Sequence, residues 1–495
     1  MLYESTRGSK NKKTGAQAII SGIAEDRGLY VPESIPGLPL GLEAMVGMKY
    51  RDIAKAILLA YFDDFTEEEM EYCVNSAYDS KFTASDVCEL REAGGRYFLE
   101  LYHGRTAAFK DMALSILPYL LTTAMKKEGV KDKVCILTAT SGDTGKAALE
   151  GFADAEGTEI IVFYPEGGVS EVQRRQMITT SGSNTHVFAV RGNFDDCQTM
   201  VKKIFSDDEI NKKLKDRGVI FSSANSINIG RLVPQVAYYV YAYVKLLEKG
   251  VVKAGEKINI TVPTGNFGNI LAAYMAKEMG LPVSMLICAS NDNRVLTDFL
   301  ETGLYDIRKE KRDFMLTNSP SMDILISSNL ERLLYLLNGR DAELVCDWMS
   351  SLEEMGMYIV MDSLKLVEGL KAFKGGSSTE TETLREISKS FREDGYLMDT
   401  HTAVASKVCR DYMAETGDFT PTIVVSTASA FKFAEAVNSA LDIEESVNGF
   451  EAVRKLAQKT GEKVPYGLRD LDKKEIRHST VIDIDEMAGT VLGSI

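Results

Sequence analysis

The chain has 495 residues, of which 45% are hydrophobic and 26% charged, a balance that fits a folded globular protein and excludes a disordered or fibrous one. Its 57 lysines and arginines against 72 aspartates and glutamates leave a net charge of −15, which disfavours nucleic acid and anionic membranes as partners, so an anionic ligand has to be held by local cations. The seven cysteines, at 73, 88, 135, 197, 288, 346 and 409, form no CxxC pair; the pattern speaks against a metal site or a disulfide scaffold and for a reducing, cytoplasmic setting.

The first residues, MLYESTRGSKNKKTG, are polar and lack the apolar core of a signal peptide. Residues 1 to about 95 carry helical periodicity, as in YRDIAKAILLAYFDDF and EEEMEYCVNSAYD, and read as a small helical domain. The longest apolar stretch, Met112 to Met125, is broken by Pro118 and is shorter than the ~20 residues that cross a bilayer. From Lys133 the texture changes. Short β-branched runs (VCILTAT, EIIVFYP, THVFAV, GVIFSS, KINITVP, VSMLICAS) alternate with helical segments, the signature of βαβ units and a parallel sheet. The sequence then predicts a loop at GGSSTETET (375–383), a last strand at PTIVVST ending at Thr427, and a final helical region.

Ligands of open α/β sheets bind at the carboxyl ends of strands, which directs attention to three segments. In TATSGDTGKAAL (138–149) a strand end meets a glycine-bracketed turn and a helix start, leaving the peptide N–H groups of residues 141–144 free for an anion. The segment is not a P-loop, since Thr140 stands where the first glycine is required and Ala147 follows Lys146. Gly142 and Gly145 could equally form a plain tight turn capped by Thr144. In VPTGNFGNILAAYMA (262–276), Gly265 and Gly268 allow close backbone approach, while Asn266 and Asn269 offer donors beside a helix dipole. In LYHGRTAAFKDMAL (101–114), Lys110 lies among Phe109, Asp111 and Met112, a setting that can depress its pKa and make it a nucleophilic amine. Together, an amine for an aldehyde, a cradle for a phosphate and a loop for a substrate carboxylate are what pyridoxal 5′-phosphate (PLP) needs.

HGRTAAFKD, LTATSGDTGKAA, FSSANSINIGRL, PTGNFGN and STASAFKF occur here in order, and their sequence and spacing resemble those of threonine synthases, from the lead-in GLYVPESIP to about residue 440. The resemblance implies a fold type II (tryptophan synthase β-like) PLP enzyme of α/β class. Its two parallel-sheet domains would be a large PLP-binding one over 96–132 and 220–440 and a small substrate one over 133–219. An N-terminal domain would span 1–95 and a C-terminal helical extension 441–495. It further implies conversion of O-phospho-L-homoserine and water to L-threonine and phosphate by γ-elimination and β-addition of water, in a cytoplasmic monomer or homodimer. Lys110 would form the Schiff base. Gly265, Asn266, Phe267, Gly268 and Asn269 would bind the cofactor phosphate, Thr427 would face the pyridine nitrogen and Asp143 the 3′-hydroxyl. Ser141 and Thr144 would serve the substrate carboxylate, and Asn225, Ser226 and Arg231 its phosphate. The chain departs from the family pattern at Arg105, where HGPT is usual, and at Ser426, Ser429, Ala430 and Phe431, where GTAHPAKF is usual. His103 and His401 are expected to be hydrogen-bonded structural residues, and Arg105 and Lys146 surface charges. A threonine or serine ammonia-lyase, or a phospho-lyase releasing an oxo-acid, would keep Lys110 and the GNFGN loop without needing Asn225, Ser226 and Arg231.

Overall fold

The computed structural model describes residues 1–140, 142–360, 364–443 and 448–495, apart from the side chains of Asp195 and Leu364. Two sheets organise the chain. The larger has six strands in the order Phe373–Ser377, Val283–Ser290, Ile258–Pro263, Thr422–Ser426, Arg96–Glu100 and Glu89–Ala93. All neighbours run parallel except the last pair, an edge hairpin whose strands meet antiparallel. The smaller sheet is wholly parallel, in the order Val481–Asp483, Thr185–Arg191, Thr158–Pro165, Lys133–Ala139 and Val219–Ser222. The inner strands are buried along their length, as in INITVP and TIVVS, which is why they read as continuous β-branched runs. The helix Pro234–Glu248 is nearly all buried and packs against the helix Tyr50–Tyr61 of the N-terminal region. No helix among the described residues is long and apolar enough to cross a membrane, and all seven cysteines are free thiols.

Four expectations are corrected. The first 95 residues are not purely helical: Tyr3–Ser5 and Tyr30–Pro32 form a two-stranded antiparallel sheet. The boundary expected at 95 falls inside the edge hairpin 89–100, whose turn is Gly94–Gly95, both at positive φ, the conformation that a two-residue hairpin turn requires. The expected loop at 375–383 is instead the end of a strand and the start of a helix. Gly375 and Gly376 pair with Cys288 and Ala289, and Thr379 caps the helix Glu380–Lys389 through a capping box. Those strand residues are glycine because a Cβ would come within 2.9 Å of Thr297 Cα at 375 and 2.5 Å of Val408 Cγ1 at 376. Finally, the carboxyl-terminal extension is not only helical, since Val481–Asp483 adds an edge strand alongside Ala189–Arg191.

This topology assembles the site. Strands 258–263, 422–426 and 96–100 are parallel neighbours, so their carboxyl ends deliver segments 264–269, 427–429 and 101–110 side by side.

Candidate active site

Lys110 is held by its neighbours on both sides. Phe109 N–H donates to the Thr427 carbonyl (2.7 Å), Ser429 N–H donates to the Ala107 carbonyl (3.1 Å), and Ala108 bridges Ala428. The Asp111 carboxylate accepts the Thr106 N–H (2.8 Å) and hydroxyl (2.6 Å). Lys110 thus sits at the start of the short helix Asp111–Leu114 with its side chain buried. Its Nζ donates to Ser321 Oγ (3.2 Å), lies 3.7 Å from Asp143 Oδ2, and is 5.1 Å from the Phe109 ring centroid. Burial lowers its pKa to about 8, helped by the cations of Arg231 and Lys432 and opposed by Asp143. A substantial neutral fraction near neutral pH suits a nucleophile and base.

Asp143 opens the helix Asp143–Phe152. Its Oδ1 is 2.7 Å from Lys432 Nζ and accepts from Gln173 Nε2 at 3.0 Å. Burial alone would raise its pKa, but Lys432 and Lys110 hold it well below the carboxylate range. The turn before it is only partly the open anion cradle that the sequence suggests. Thr140 Oγ1 accepts the N–H groups of Gly142 (3.0 Å) and Gly145 (2.9 Å), so Thr140 rather than Thr144 satisfies the turn. Asp143 N–H and the Thr144 hydroxyl have no partner among the described residues. Ser141 lies outside the described residues.

The GNFGN loop leads into the helix Gly268–Glu278, with Phe267 left-handed at φ 62° and its ring buried against Phe373. Among the described residues, no protein acceptor takes the N–H groups of Gly265, Asn266, Phe267, Gly268 or Asn269. The Asn269 side chain is spent on the Pro263 carbonyl (2.9 Å). Both glycines serve close protein approach: a Cβ would lie 2.7 Å from the Ser321 carbonyl at 265 and 3.2 Å from Ser226 Cβ at 268. Asn329 Nδ2 donates to Ser226 Oγ (2.9 Å) and to the Asn266 carbonyl (3.0 Å). Arg332 donates to the carbonyls of Tyr30 (2.9 Å) and Ser226 (3.1 Å). These bonds lock the GNFGN loop against the loop carrying Asn225 and Ser226. Arg231 is also buried, yet its guanidinium donates only to the Ala224 carbonyl (2.7 Å), with no ion-pair partner among the described residues. Burial lowers its pKa to about 10.

Thr427 is buried, with its N–H on Thr402 Oγ1 (3.2 Å) and no partner for its hydroxyl among the described residues. His401 accepts the Ser321 N–H at Nε2 (3.1 Å) and faces Asp399 Oδ1 with Nδ1 (2.9 Å), which puts the ring proton on Nδ1. It therefore orients Ser321, and through it the Lys110 amine. His103 bonds Glu100 (3.0 Å). Arg105 is exposed and pairs with Glu150 (2.9 Å). Lys146 corrects its expectation as a surface charge: it is buried, and bonds Glu150 (2.9 Å) and Thr180 (3.2 Å). Sequence reasoning also missed Ser321, Asn329, Arg332, Gln173 and Lys432. Only Lys432 carried a signal, being inside STASAFKF.

The residues present fit PLP: a buried amine of lowered pKa and, unclaimed among the described residues, five N–H groups entering a helix and a buried hydroxyl at the end of the next strand. The comparisons agree. A model of pyridoxal-phosphate dependent enzymes matches residues 89–430, flanked by models of the threonine synthase N terminus at 2–78 and the threonine synthase C-terminal region at 402–489. The chain belongs to the threonine synthase family of pyridoxal-phosphate dependent enzymes. It is 38% identical to threonine synthase of Pseudomonas aeruginosa over 89% of this chain and 90% of that one. It is 40% identical to human threonine synthase-like 1 over 87% of its own length, spanning 58% of that longer protein. The PLP-bound threonine synthase structure from Brucella melitensis aligns with a TM-score of 0.87 at 36% identity, covering 100% of this chain and 99% of that one. The yeast threonine synthase structure aligns with a TM-score of 0.87 at 32% identity, covering 100% and 98%.

Proposed function

We propose that this protein is a threonine synthase, converting O-phospho-L-homoserine and water to L-threonine and phosphate with PLP as cofactor. The observation that carries the reading is Arg231, a buried cation without an anionic partner among the described residues, whose field reaches the Lys110 amine. A fixed guanidinium suits a tetrahedral dianion, and neither an ammonia-lyase substrate nor water supplies one. The seven free thiols fit a cytoplasmic site of action.

PLP, when bound, supplies the electron sink that acidifies Cα and then Cβ of the substrate. Every other function falls to the chain. Lys110 Nζ, kept partly neutral by burial, takes the proton from Cα at high effective molarity and as an ammonium carries one to return. Ser321 Oγ orients that amine, and His401 fixes Ser321. The N–H groups of 265–269 would hold the cofactor phosphate, and the Thr427 hydroxyl would meet the ring nitrogen. Arg231, with Asn225 and Ser226, would bind the phosphate that leaves from Cγ, while Thr144 would take the substrate carboxylate. Comparing kcat/KM for O-phospho-L-homoserine with that for threonine and serine tests the assignment. The phosphorylated substrate should be favoured by orders of magnitude, and faster release of oxo-acid from threonine or serine would refute it.

A further inference from the structure

Lys432 lies on a short 3-10 turn, Ala430–Phe433, with its side chain out of solvent. Its ammonium is 2.7 Å from Asp143 Oδ1 and donates to the Thr106 carbonyl at 3.0 Å. Gln173 donates to the same Oδ1. That oxygen is therefore fully engaged, and Oδ2 is the one that looks toward Lys110 Nζ, 3.7 Å away. One buried carboxylate stands between two buried ammonium groups. Arg231 on the neighbouring helix adds a third cation, and the nearest acid on the lysine's own helix, Asp111, is turned away onto Thr106.

The charge balance has a direction. If Lys432 were neutral, Asp143 would serve Lys110 alone and stabilise its ammonium form. With Lys432 charged, the shared carboxylate neutralises only one of the two, and like-charge repulsion in a dry site favours the free amine. We propose that Lys432 is a positioning residue for the Lys110 amine: it fixes Asp143 through one oxygen, and its charge keeps that carboxylate from fully pairing with Lys110. This rests on the reading of Lys110 as the reactive amine. No role in chemistry on the substrate is assigned to Lys432 itself.

Competitive acetylation of the full-length apoprotein across pH, read peptide by peptide by mass spectrometry, measures the titration of Lys110 without cofactor or turnover. In the wild-type chain, labelling of Lys110 should rise through pH of about 8. Lys432→Met should move that rise to higher pH and slow labelling at pH 7 about tenfold or more. Lys432→Gln, which keeps donors without the charge, should do the same, and Lys432→Arg should restore the wild-type profile. Asp143→Asn should shift the rise the opposite way, to lower pH. An unchanged profile in Lys432→Met or Lys432→Gln, or a shift to lower pH, overturns the proposal. If neither neutral variant folds by circular dichroism, Asp143→Asn decides, and no shift or an upward one overturns it. Because no substrate is used, failure of the threonine synthase assignment would leave these profiles unaltered, so the two can fail separately.

Discussion

Replacing Arg231 by leucine should cut activity without costing stability. Arg231 is 6% exposed, and its guanidinium has one carbonyl partner and no ion pair among the described residues. Burial lowers its pKa from the ordinary guanidinium range to about 10, which corresponds to about 3 kcal/mol held against folding. The sign follows from linkage: a cation whose folded pKa lies below its unfolded one opposes folding wherever it is charged in both states. The penalty is therefore complete below pH of about 10 and fades above it, toward the ordinary guanidinium range. Arg231→Leu removes that penalty along with one charged hydrogen bond, itself about 1.5–3 kcal/mol. The apoprotein should then be as stable as the wild type or up to about 2 kcal/mol more stable at pH 7.5, by urea unfolding. With PLP occupying the 265–269 loop, phosphate ion should raise the Tm of the wild type and not of the variant. The kcat/KM for O-phospho-L-homoserine should fall by roughly 30-fold to several thousand-fold, the loss of about 2–5 kcal/mol of charge-assisted binding. Slow reactions of unphosphorylated amino acids should fall far less, only as far as loss of the nearby cation lets the Lys110 pKa rise. An apoprotein destabilised by more than about 2 kcal/mol, with equal losses for phosphorylated and unphosphorylated substrates, would make Arg231 a structural residue and refute the reasoning.

Lys110→Ala should fold normally and bind PLP without borohydride-reducible attachment, and multiple turnovers without added amine would contradict the assignment. The rate at which apoprotein captures PLP should rise about tenfold per pH unit below 8 and level off above it, since the lowered folded-state pKa of Lys110 populates the neutral amine there; stopped-flow absorbance reads it. Gly265→Ala places a methyl 2.7 Å from the Ser321 carbonyl, so it should cost about 1–3 kcal/mol in unfolding experiments and weaken the hold of Ser321 on Lys110. Gly268→Val pushes on Ser226 and should raise the PLP concentration needed for reconstitution, and an unchanged affinity would place the cofactor phosphate elsewhere.

The strands that were legible in the sequence are those buried on both faces, such as Lys133–Ala139 and Val283–Ser290, because burial selects unbroken β-branched runs. Phe373–Ser377 was not, since close helices require glycine at 375 and 376 and glycine ordinarily signals a loop. The hairpin 89–100 was missed because its edge strand, ELREA, is charged and half exposed. In the site, Lys110 and the GNFGN loop could be found because glycine, aromatic and capping neighbours surround them within a few residues. Ser321 could not, as its bond to Lys110 spans 211 positions. Asn329 and Arg332 likewise reach back about a hundred residues to Ser226, and local pattern carries no trace of such pairings. Lys146 was misjudged because a lysine in a helix is usually solvated, whereas here Glu150 and Thr180 satisfy it under cover.

The most direct test of the account is incubation of the purified protein and PLP with O-phospho-L-homoserine, assaying phosphate, threonine and 2-oxobutanoate in the same samples. The account predicts phosphate and L-threonine in equal amounts with little 2-oxobutanoate. Phosphate accompanied by 2-oxobutanoate in place of threonine, or no phosphate at all from a protein that carries PLP on Lys110, would contradict it.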